Sequence, residues 1–406
     1  MIVGAGQAGF EAAAALRAEG YDEPIALVGD EPHLPYQRPP LSKGFILDQQ
    51  GMDEIELRPS AFFTDHGIDL VTRERVTAID RPSRHVRLAS GRRRSYEHLI
   101  LACGARNREL PIAGARMDGV VYLRTLDESI AIKQRLRDAK AIVVIGGGFI
   151  GLEIAASARS LGKAVTVLEA QPRLMPRVVA PLVSTFYERS HTSRGVDIVC
   201  NALVIDIAGN GAARVVRLAD GRSFCADLVI VGIGVIPNAE LAADAGLATG
   251  NGIVVDDHLQ TGDARIYAIG DCAEHPNAFA GGRVRLESVQ NAADQARAAA
   301  AVIAGRRAPY HAVPWFWTDQ FDLRLQMAGL SQGYDQAVTR GDPDSQKFSV
   351  FYFKASRLLA VDSINRPADH IMARRLLASR VVITPEQAEN EQVNLKDLSM
   401  RASSDA

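Results

Sequence analysis

Cysteine is scarce in this sequence of 406 residues, which contains four cysteines at widely separated positions. They form neither a C-x-x-C pair nor the spacing of a metal site, so the sequence excludes a local dithiol centre and a zinc site of the common type. Free cysteine is among the most buried residue types, and we expect all four to be buried thiols in a reducing compartment. The four are Cys103, Cys200, Cys225 and Cys272.

A strong net charge is absent as well, because 46 Lys and Arg against 48 Asp and Glu leave a net charge of −2. Nucleic-acid binding usually requires a basic face, so this balance argues against a nucleic-acid partner. The apolar run Ala141–Leu152 is too short and too rich in glycine to span a membrane. The apolar start Met1–Leu16 lacks a basic segment and carries Glu11, which argues against a signal peptide. We therefore expect a cytoplasmic protein.

A glycine motif follows the buried strand predicted for Ala141–Ile145. Gly146, Gly148 and Gly151 have the G-x-G-x-x-G spacing, which permits a tight turn, a close approach of backbone to a pyrophosphate, and close packing of helix on strand. Glu169 stands at the end of the next predicted strand, where such units place a carboxylate for a ribose hydroxyl. The stretch is therefore predicted to bind a dinucleotide.

The same pattern occurs at the first residues of the chain. A helix is predicted from Gln7 to Glu19, and Asp30 follows the predicted strand Ile25–Val28 at the position of a second ribose carboxylate. Because so few residues precede the motif, we expect the natural start to lie a few residues upstream; if Met1 is the true start, we predict a short, frayed first strand. The residues of this second motif are Gly4, Gly6, Ala8 and Gly9.

The second dinucleotide unit interrupts the first. The strand that ends in Gly232 and Gly234 closes the inner unit, and Asp271 follows a later strand of the outer one, where this architecture places ligand contacts. Alternating strands after Pro314 predict a third, mainly antiparallel domain, and the polar composition after Thr384 predicts a partly loose tail. The predicted fold is α/β, with two nested Rossmann-like domains and an α+β C-terminal domain. The predicted domains are 1–111 with 239–313, 112–238, and 314–406.

The proline-rich segment Glu31–Leu47 is predicted to be extended, with Ser42 as the N-cap of a short helix. Taken alone, Lys43 reads as an exposed surface lysine. The basic run 92–94 is predicted to form a solvated hairpin edge, because charged side chains protect strand edges from pairing. The two tryptophans, Trp315 and Trp317, read as core anchors of the third domain or as parts of a site.

These features resemble the glutathione-reductase-like flavoproteins. Four segments are more specific, and they are similar to the NADH-dependent ferredoxin reductases of bacterial oxygenase systems, of the putidaredoxin reductase and palustrisredoxin reductase type. The resemblance covers essentially the whole chain except the first strand and the tail. The four segments are Pro35–Lys43, Tyr122–Leu126, Glu287–Asn291 and Pro314–Gln320.

The resemblance implies FAD in the outer unit and NADH in the inner unit. Gly104 lies in an Ala-Cys-Gly sequence where the family has Ala-Thr-Gly, which leaves Cys103 near the flavin. The residues expected to contact FAD are Gly4, Gly6, Ala8, Gly9, Asp30, Lys43, Val76, Gly104, Arg124, Asp271, Val289 and Trp317. The residues expected to contact NADH are Gly146, Gly148, Ile150, Gly151, Glu169, Gly232 and Gly234.

The activity implied by the resemblance is FAD-dependent electron transfer from NADH to an acidic 2Fe–2S ferredoxin that feeds a monooxygenase or a ring-hydroxylating dioxygenase. Lys43 and Glu153 are the expected catalytic pair, because Glu153 lies in the first turn after the motif and Lys43 would meet it. Glu169 favours NADH over NADPH, although Arg173 nearby is a counter-signal. Arg297 and Trp315 are expected to dock the ferredoxin. We expect no bound metal and a monomeric chain.

Two alternatives remain open. The first is an NADH-dependent disulfide, peroxide or oxygen reductase, but residues 31–47 contain no cysteine where such enzymes carry one, and Cys103 alone keeps this alternative alive. The second is a non-enzymatic flavoprotein that signals through NADH binding. The near-neutral charge and the lack of a targeting segment argue against it.

Overall fold

The computed structural model of the chain describes residues 1–401 and separates into two compact units. Each unit contains one of the two glycine motifs, and each is assembled from three stretches of chain. The first unit comprises Met1–Gln37, Met52–Arg106 and Ile236–Phe316. The second comprises Arg38–Gly51, Asn107–Val235 and the chain from Trp317 onward. The finer division into three domains stays a prediction.

The core of the first unit is a five-stranded parallel sheet. Its strands are rich in Val, Ile and Leu, as is usual for parallel strands buried on both faces. The first strand, Ile2–Val3, is short as predicted but not frayed, because it pairs with a strand on either side. In spatial order the strands are Ile266–Ala268, Leu99–Leu101, Ile2–Val3, Ile25–Val28 and Ile68–Val71.

Two helices of the first unit pack against each other, Gln7–Ala18 and Val289–Ile303. The latter confirms the helix predicted to start at Ser288, whose hydroxyl oxygen accepts a hydrogen bond from the Asn291 backbone at 3.0 Å. Alanines fill much of the buried face of both helices, which permits a close approach. The shorter helices are Met52–Ile55, Ser60–Asp65, Glu240–Asp244 and the 3₁₀ turn Gly270–Cys272.

A three-stranded antiparallel sheet and a four-stranded mixed sheet complete the first unit. In the three-stranded sheet, Arg93–Ser95 is an edge strand, as the basic run predicted, and Arg93 pairs with Asp80 at 3.3 Å. The strands of this sheet are Val76–Asp80, His85–Leu88 and Arg93–Ser95. Those of the four-stranded sheet are Thr249–Gly250, Gly252–Val254, Ala273–Asn277 and Gly282–Val284. Two further strands, Ala105–Asn107 and Val235–Pro237, lie where the chain passes from one unit to the other.

The second unit has its own five-stranded parallel sheet. Its helix Leu126–Asp138 begins with a capping box, in which the Thr125 and Glu128 side chains each bond the other residue's backbone N–H. In spatial order the strands are Val196–Val199, Ala164–Leu168, Ala141–Ile145, Leu228–Val231 and Val120–Tyr122. The other helices are Phe149–Ser160 and Pro181–Ser193, and a small sheet is formed by Val204–Ala208, Val215–Leu218 and Ser223–Cys225.

A five-stranded antiparallel sheet forms the C-terminal part of the second unit, which confirms the predicted fold class. Its spatial order is Trp315–Gln320, Leu323–Gly329, Arg357–Ile364, Lys347–Lys354 and Gln336–Asp342. The helix Pro367–Ser379 packs on it, and Pro343–Ser345 forms a 3₁₀ turn. None of the helices within residues 1–401 has both the length and the apolar composition that crossing a bilayer requires.

The tail after Thr384, predicted to be partly loose, contains regular structure within the described residues. Helices form at Pro385–Glu389 and Leu395–Arg401, the first with a capping box made by Thr384 and Gln387. The buried guanidinium of Arg340 donates hydrogen bonds to backbone carbonyls between 388 and 393. A tertiary contact therefore orders a segment whose composition suggested a solvated one. The predicted tail also includes residues 402–406, which lie outside the described part of the chain.

Two smaller predictions are corrected. Ser42 is the last residue of the 3₁₀ helix Pro39–Ser42 rather than the N-cap of a helix, because the prolines start that turn earlier. The cysteines carry no disulfide, but they are not all buried: Cys272 is buried, Cys103 and Cys200 are half-buried, and Cys225 is exposed.

The C-terminal sheet buries a carboxyl group completely. Asp362 is 1% exposed and accepts a hydrogen bond from the Tyr352 hydroxyl at 2.5 Å, and that hydroxyl accepts one from the Ala180 backbone at 3.0 Å. Burial raises the pKa of Asp362 to about 7. The folded state therefore binds a proton more tightly than the unfolded chain does.

Asp362→Asn should remove a pH-dependent cost to stability. Because the carboxyl titrates near pH 4 when unfolded, its contribution to stability falls as the pH rises from about 4 to about 7. The difference in unfolding free energy between the variant and the wild type should grow in favour of the variant by about 3 kcal/mol from pH 5 to pH 8. Urea unfolding at both pH values measures it, and a constant difference would contradict the assignment.

Candidate active site

The first glycine of each motif has a backbone conformation that other residues rarely adopt. Gly4 has φ +105° and Gly146 has φ +110°. A Cβ would lie 2.2 Å from the Ala102 carbonyl oxygen at Gly4, and 2.4 Å from the Gly232 carbonyl oxygen at Gly146. Each turn therefore requires glycine for both its angle and its space.

The third glycine of each motif allows the following helix to pack directly against the turn. A Cβ at Gly9 would lie 1.8 Å from the Gly4 carbonyl oxygen, and one at Gly151 would lie 2.1 Å from that of Gly146. Such contacts are incompatible with any side chain. The two motifs thus have the same internal packing, although they share little sequence beyond the glycines.

The middle glycine of the inner motif faces open space. Gly148 is the N-cap of the helix Phe149–Ser160, and apart from its immediate chain neighbours no atom of the described residues lies within 4 Å of the position its Cβ would occupy. Gly234, at the end of a neighbouring strand, is equally open. Free backbone N–H groups at a helix start favour an anion, so this opening fits the pyrophosphate of a dinucleotide. Gly6 is the corresponding N-cap of the outer motif.

In the first unit, residues expected at FAD follow neighbouring strands of the parallel sheet. Gly4, Asp30, Gly104 and Asp271 come after strands that all point the same way, so they lie at one edge of the sheet. Ala8 lies against the turn before Asp271, because a Cβ on Gly270 would be 2.9 Å from the Ala8 side chain.

The remaining residues of that set are more dispersed. Val289 is the first residue of its helix, and Val76 begins a strand of the three-stranded sheet. Lys43, Arg124 and Trp317 belong to the second unit. The carbonyl of Arg124 accepts a hydrogen bond from Arg38 at 2.6 Å.

The Glu169 side chain lies against the glycine turn of the inner motif. Its carboxylate accepts hydrogen bonds from the Gly147 backbone at 2.7 Å and from the Gln171 backbone at 2.8 Å. Arg173 points elsewhere, since its guanidinium donates to the Val179 carbonyl and to the Ser184 hydroxyl. Arg173, which the sequence suggested as a possible partner for a 2′-phosphate, is therefore already hydrogen-bonded to nearby residues of its own chain.

The contact predicted between Lys43 and Glu153 is present, with Nζ and Oε2 2.7 Å apart. Both residues belong to the second unit. The backbone next to Lys43 is fixed, because the Ser129 hydroxyl donates to the Leu41 carbonyl at 2.8 Å and the Ser157 hydroxyl donates to the Ser42 carbonyl at 2.7 Å. The Lys43 side chain therefore extends from a backbone turn that is held in place by hydrogen bonds.

Glu153 is a buried charge, only 5% exposed. Besides Lys43, it accepts hydrogen bonds from the Ser42 hydroxyl at 2.5 Å and from the Thr318 hydroxyl at 2.6 Å. A buried carboxylate is stable only when such donors replace water. Sequence reasoning missed Ser42 and Thr318 as its partners, although both lie within segments that carry the resemblance.

Comparison with known proteins gives a consistent result. The model of the pyridine nucleotide-disulphide oxidoreductases matches residues 1–296, and the reductase C-terminal model matches residues 315–399. The chain belongs to the pyridine nucleotide-disulphide oxidoreductase family. Rhodocoxin reductase of Rhodococcus erythropolis is 49% identical over 397 residues, which cover 98% of this chain and 93% of that protein. The resemblance to ferredoxin reductases is thereby confirmed.

Solved structures of the same group match over the whole chain. The ferredoxin reductase for the CYP199A2 system from Rhodopseudomonas palustris has a TM-score of 0.96 at 47% identity, covering 98% of each chain. The covalent complex of putidaredoxin reductase with putidaredoxin has a TM-score of 0.96 at 41% identity, covering 99% of this chain and 98% of that one. The protein is therefore an oxidoreductase that uses FAD and NAD(H), and the open turn at Gly148 fits such a dinucleotide.

The residues expected to dock a partner protein are placed as follows. Trp315 and Trp317 lie two residues apart on one strand, so their side chains share one face of it, and both are partly buried. Arg297 is more than half exposed and lies 3.0 Å from Asp294 and 3.7 Å from Glu11. Its charge is therefore shared with two carboxylates of the same unit.

Glu169→Gln should narrow the preference of this reductase for NADH over NADPH by about tenfold in the ratio of kcat/KM values. The variant keeps a hydrogen-bond acceptor but loses the negative charge that repels a 2′-phosphate. Steady-state rates with both nucleotides measure the ratio. Equal efficiency of the wild type with NADPH would contradict the role given to Glu169.

Proposed function

We propose that the protein is a FAD-dependent reductase that carries electrons from NADH to a 2Fe–2S ferredoxin, which in turn serves an oxygenase. The Lys43–Glu153 pair carries the proposal: an ion pair on the helix that follows the inner dinucleotide motif, whose buried carboxylate also accepts hydrogen bonds from Ser42 and Thr318. The names of the relatives support the acceptor, since they include a rhodocoxin reductase and a reductase solved in complex with putidaredoxin.

The cysteines argue against a disulfide reductase. The segment Arg38–Gly51, which carries Lys43, contains no cysteine. Burial raises the pKa of the Cys103 thiol well above its ordinary value, so this cysteine stays protonated and unreactive. Electrons that do not pass to a protein dithiol are available to an external one-electron acceptor.

The chain contributes binding and electrostatics to the reaction. FAD, when bound, accepts a hydride from the nicotinamide and releases electrons singly. Gly146, Gly148 and Gly151 would hold the NADH pyrophosphate, with Glu169 at its ribose. Lys43, oriented by Glu153, would supply positive charge to stabilise the negative charge that develops during hydride transfer.

The remaining assignments are parts of the same proposal. The edge of the first sheet, with Asp30 and Asp271, would hold FAD, and Arg297 and Trp315 would meet an acidic ferredoxin. We also propose a cytoplasmic monomer. The free cysteines support a reducing compartment for it.

Lys43→Met should slow flavin reduction by NADH at least about tenfold, which is about 1.4 kcal/mol of transition-state stabilisation, while FAD affinity changes far less. The variant removes the cation but keeps an aliphatic stem of similar length. Stopped-flow absorbance measures the reduction, and titration of the apoprotein measures FAD binding. Lys140→Met, at an exposed lysine, is the control. A wild-type reduction rate would refute the role of Lys43.

The function itself is tested by NADH oxidation with cytochrome c as the final acceptor, with and without 2Fe–2S ferredoxins. We expect one ferredoxin to stimulate the rate strongly. A rate that no ferredoxin increases, together with a persistent charge-transfer band, would instead favour a sensing flavoprotein.

In the same assay, Arg297→Glu should raise the KM for the ferredoxin by about tenfold and leave ferricyanide reduction unchanged, because it reverses one charge of the proposed docking surface. Arg93→Glu is a matched control, since the Arg93 side chain is 58% exposed against 57% for Arg297, and Arg93 is likewise paired with an aspartate. Equal effects of the two variants would remove Arg297 from the docking surface.

A further inference from the structure

A line of hydrogen bonds leads from Glu153 away from Lys43 and into the C-terminal sheet. Thr318 Oγ1 lies 2.6 Å from Glu153 Oε1, and Gln320 Nε2 lies 3.3 Å from Thr318 Oγ1. His191 Nε2 then lies 2.8 Å from Gln320 Oε1. The three side chains beyond Glu153 are completely buried, and all belong to the second unit.

The charge on Glu153 sets the direction of every bond in this line. An ionised carboxylate has no proton to donate, so the Thr318 hydroxyl must be the donor. Its oxygen then accepts from the Gln320 amide nitrogen, which turns the amide oxygen toward His191. His191 must therefore carry its proton on Nε2, and each group donates toward Glu153.

The two oxygens of the carboxylate are held from different sides. Oε2 meets Lys43 and Ser42, and Oε1 receives its hydrogen bond from Thr318. A carboxylate held through one oxygen can rotate about its last bond, whereas one held through both cannot. The Thr318 bond is therefore what fixes the carboxylate plane relative to Lys43.

The strand geometry explains why the sequence can build this line. Thr318 and Gln320 are two residues apart on the strand Trp315–Gln320, so their side chains share one face of it. Trp317 lies on the opposite face of the same strand. His191 is near the end of the helix Pro181–Ser193, where it also packs edge-on against Phe321 with ring centroids 5.2 Å apart.

We infer that Thr318, Gln320 and His191 form a positioning chain that fixes the orientation of the Glu153 carboxylate, and through it the position of Lys43. None of the three touches Lys43, so they act through Glu153 rather than as catalytic residues. The inference deepens the proposed function and rests on it for the role of the Lys43–Glu153 pair.

The far end of the chain supports this reading. Within residues 1–401, His191 Nδ1 has no hydrogen-bond partner, although the atom is buried. Burial lowers the pKa of His191 to about 4, so the ring is neutral at physiological pH. A neutral ring that is hydrogen-bonded through Nε2 alone can serve as the last donor of the chain.

Thr318→Val tests the chain, because it removes the hydroxyl and keeps the shape of the side chain. Acetylation of Lys43 by acetic anhydride, followed by mass spectrometry of the flavin-loaded enzyme, reports how firmly the ion pair holds. We expect labelling of Lys43, relative to the exposed Lys140, to become several times faster. The limiting rate of flavin reduction by NADH, measured without any ferredoxin, should fall at least about tenfold, with a smaller change in the NADH concentration needed for half-saturation.

Two variants separate positioning from simple loss of stability. Thr318→Ser restores the donor and should return both readouts to within about twofold of the wild type. Ser349→Ala is the matched control, because Ser349 is also a buried hydroxyl of the same sheet that donates to a carboxylate, that of Asp369, at 2.9 Å. It should lower Tm as Thr318→Val does and leave both readouts unchanged. If Thr318→Val resembles Ser349→Ala in both readouts, the inference is overturned.

The direction of the chain is tested in the wild type by ¹⁵N NMR of His191. We expect the proton on Nε2 and a pyridine-type Nδ1, and a proton on Nδ1 would overturn the inference whether or not the Thr318 variant folds. The labelling and NMR readouts involve neither NADH nor ferredoxin. A failure of the ferredoxin assay would therefore leave them intact, and their failure would leave the proposed acceptor untouched.

Discussion

The second unit depends on neutralising one buried carboxylate. Removing a charge such as that of Glu153 from water costs several kcal/mol unless donors and a counter-charge replace the water. The donors come from two stretches of chain that are far from Glu153 in sequence: Ser42 and Lys43 from one, and Thr318 of the C-terminal sheet from the other. Together with the hydrogen bonds from Ser129 and Ser157, this requirement holds Arg38–Gly51 in the second unit rather than with its neighbours in sequence.

The two dinucleotide motifs have the same backbone turn but differ in the acidic residues that follow it. The first and third glycines make the same close contacts in both copies, so the turn itself is fixed by sterics. The acids that follow differ. Asp30 is exposed and pairs with Arg75 at 2.8 Å, whereas Glu169 is tied back to the motif by the Gly147 backbone. Specificity for one dinucleotide over another therefore depends on the residues around the turn rather than on the turn itself.

Local patterns predicted most of the fold. The strand Ile25–Val28 and the helix beginning at Ser288 were predictable because alternation, capping residues and glycine spacing act over a few residues. The order of the tail was not, because it depends on Arg340, some 50 residues earlier in the chain. At the candidate site, Lys43 and Glu153 were found through the resemblance. The partners Ser42, Thr318 and His191 escaped because their contacts span more than 100 residues and no local pattern encodes them.

The interrupted sequence of the first unit also has a consequence for synthesis on the ribosome. Its parallel sheet needs Ile266–Ala268, whereas the parallel sheet of the second unit uses only strands between 120 and 231. Chains emerge from the N-terminus, and domains generally fold as they become complete. The inserted sheet can thus form while its host still lacks an edge strand. Until residue 268 has left the exit tunnel, Leu99–Leu101 remains an unpaired edge of the nascent chain, which a chaperone would recognise.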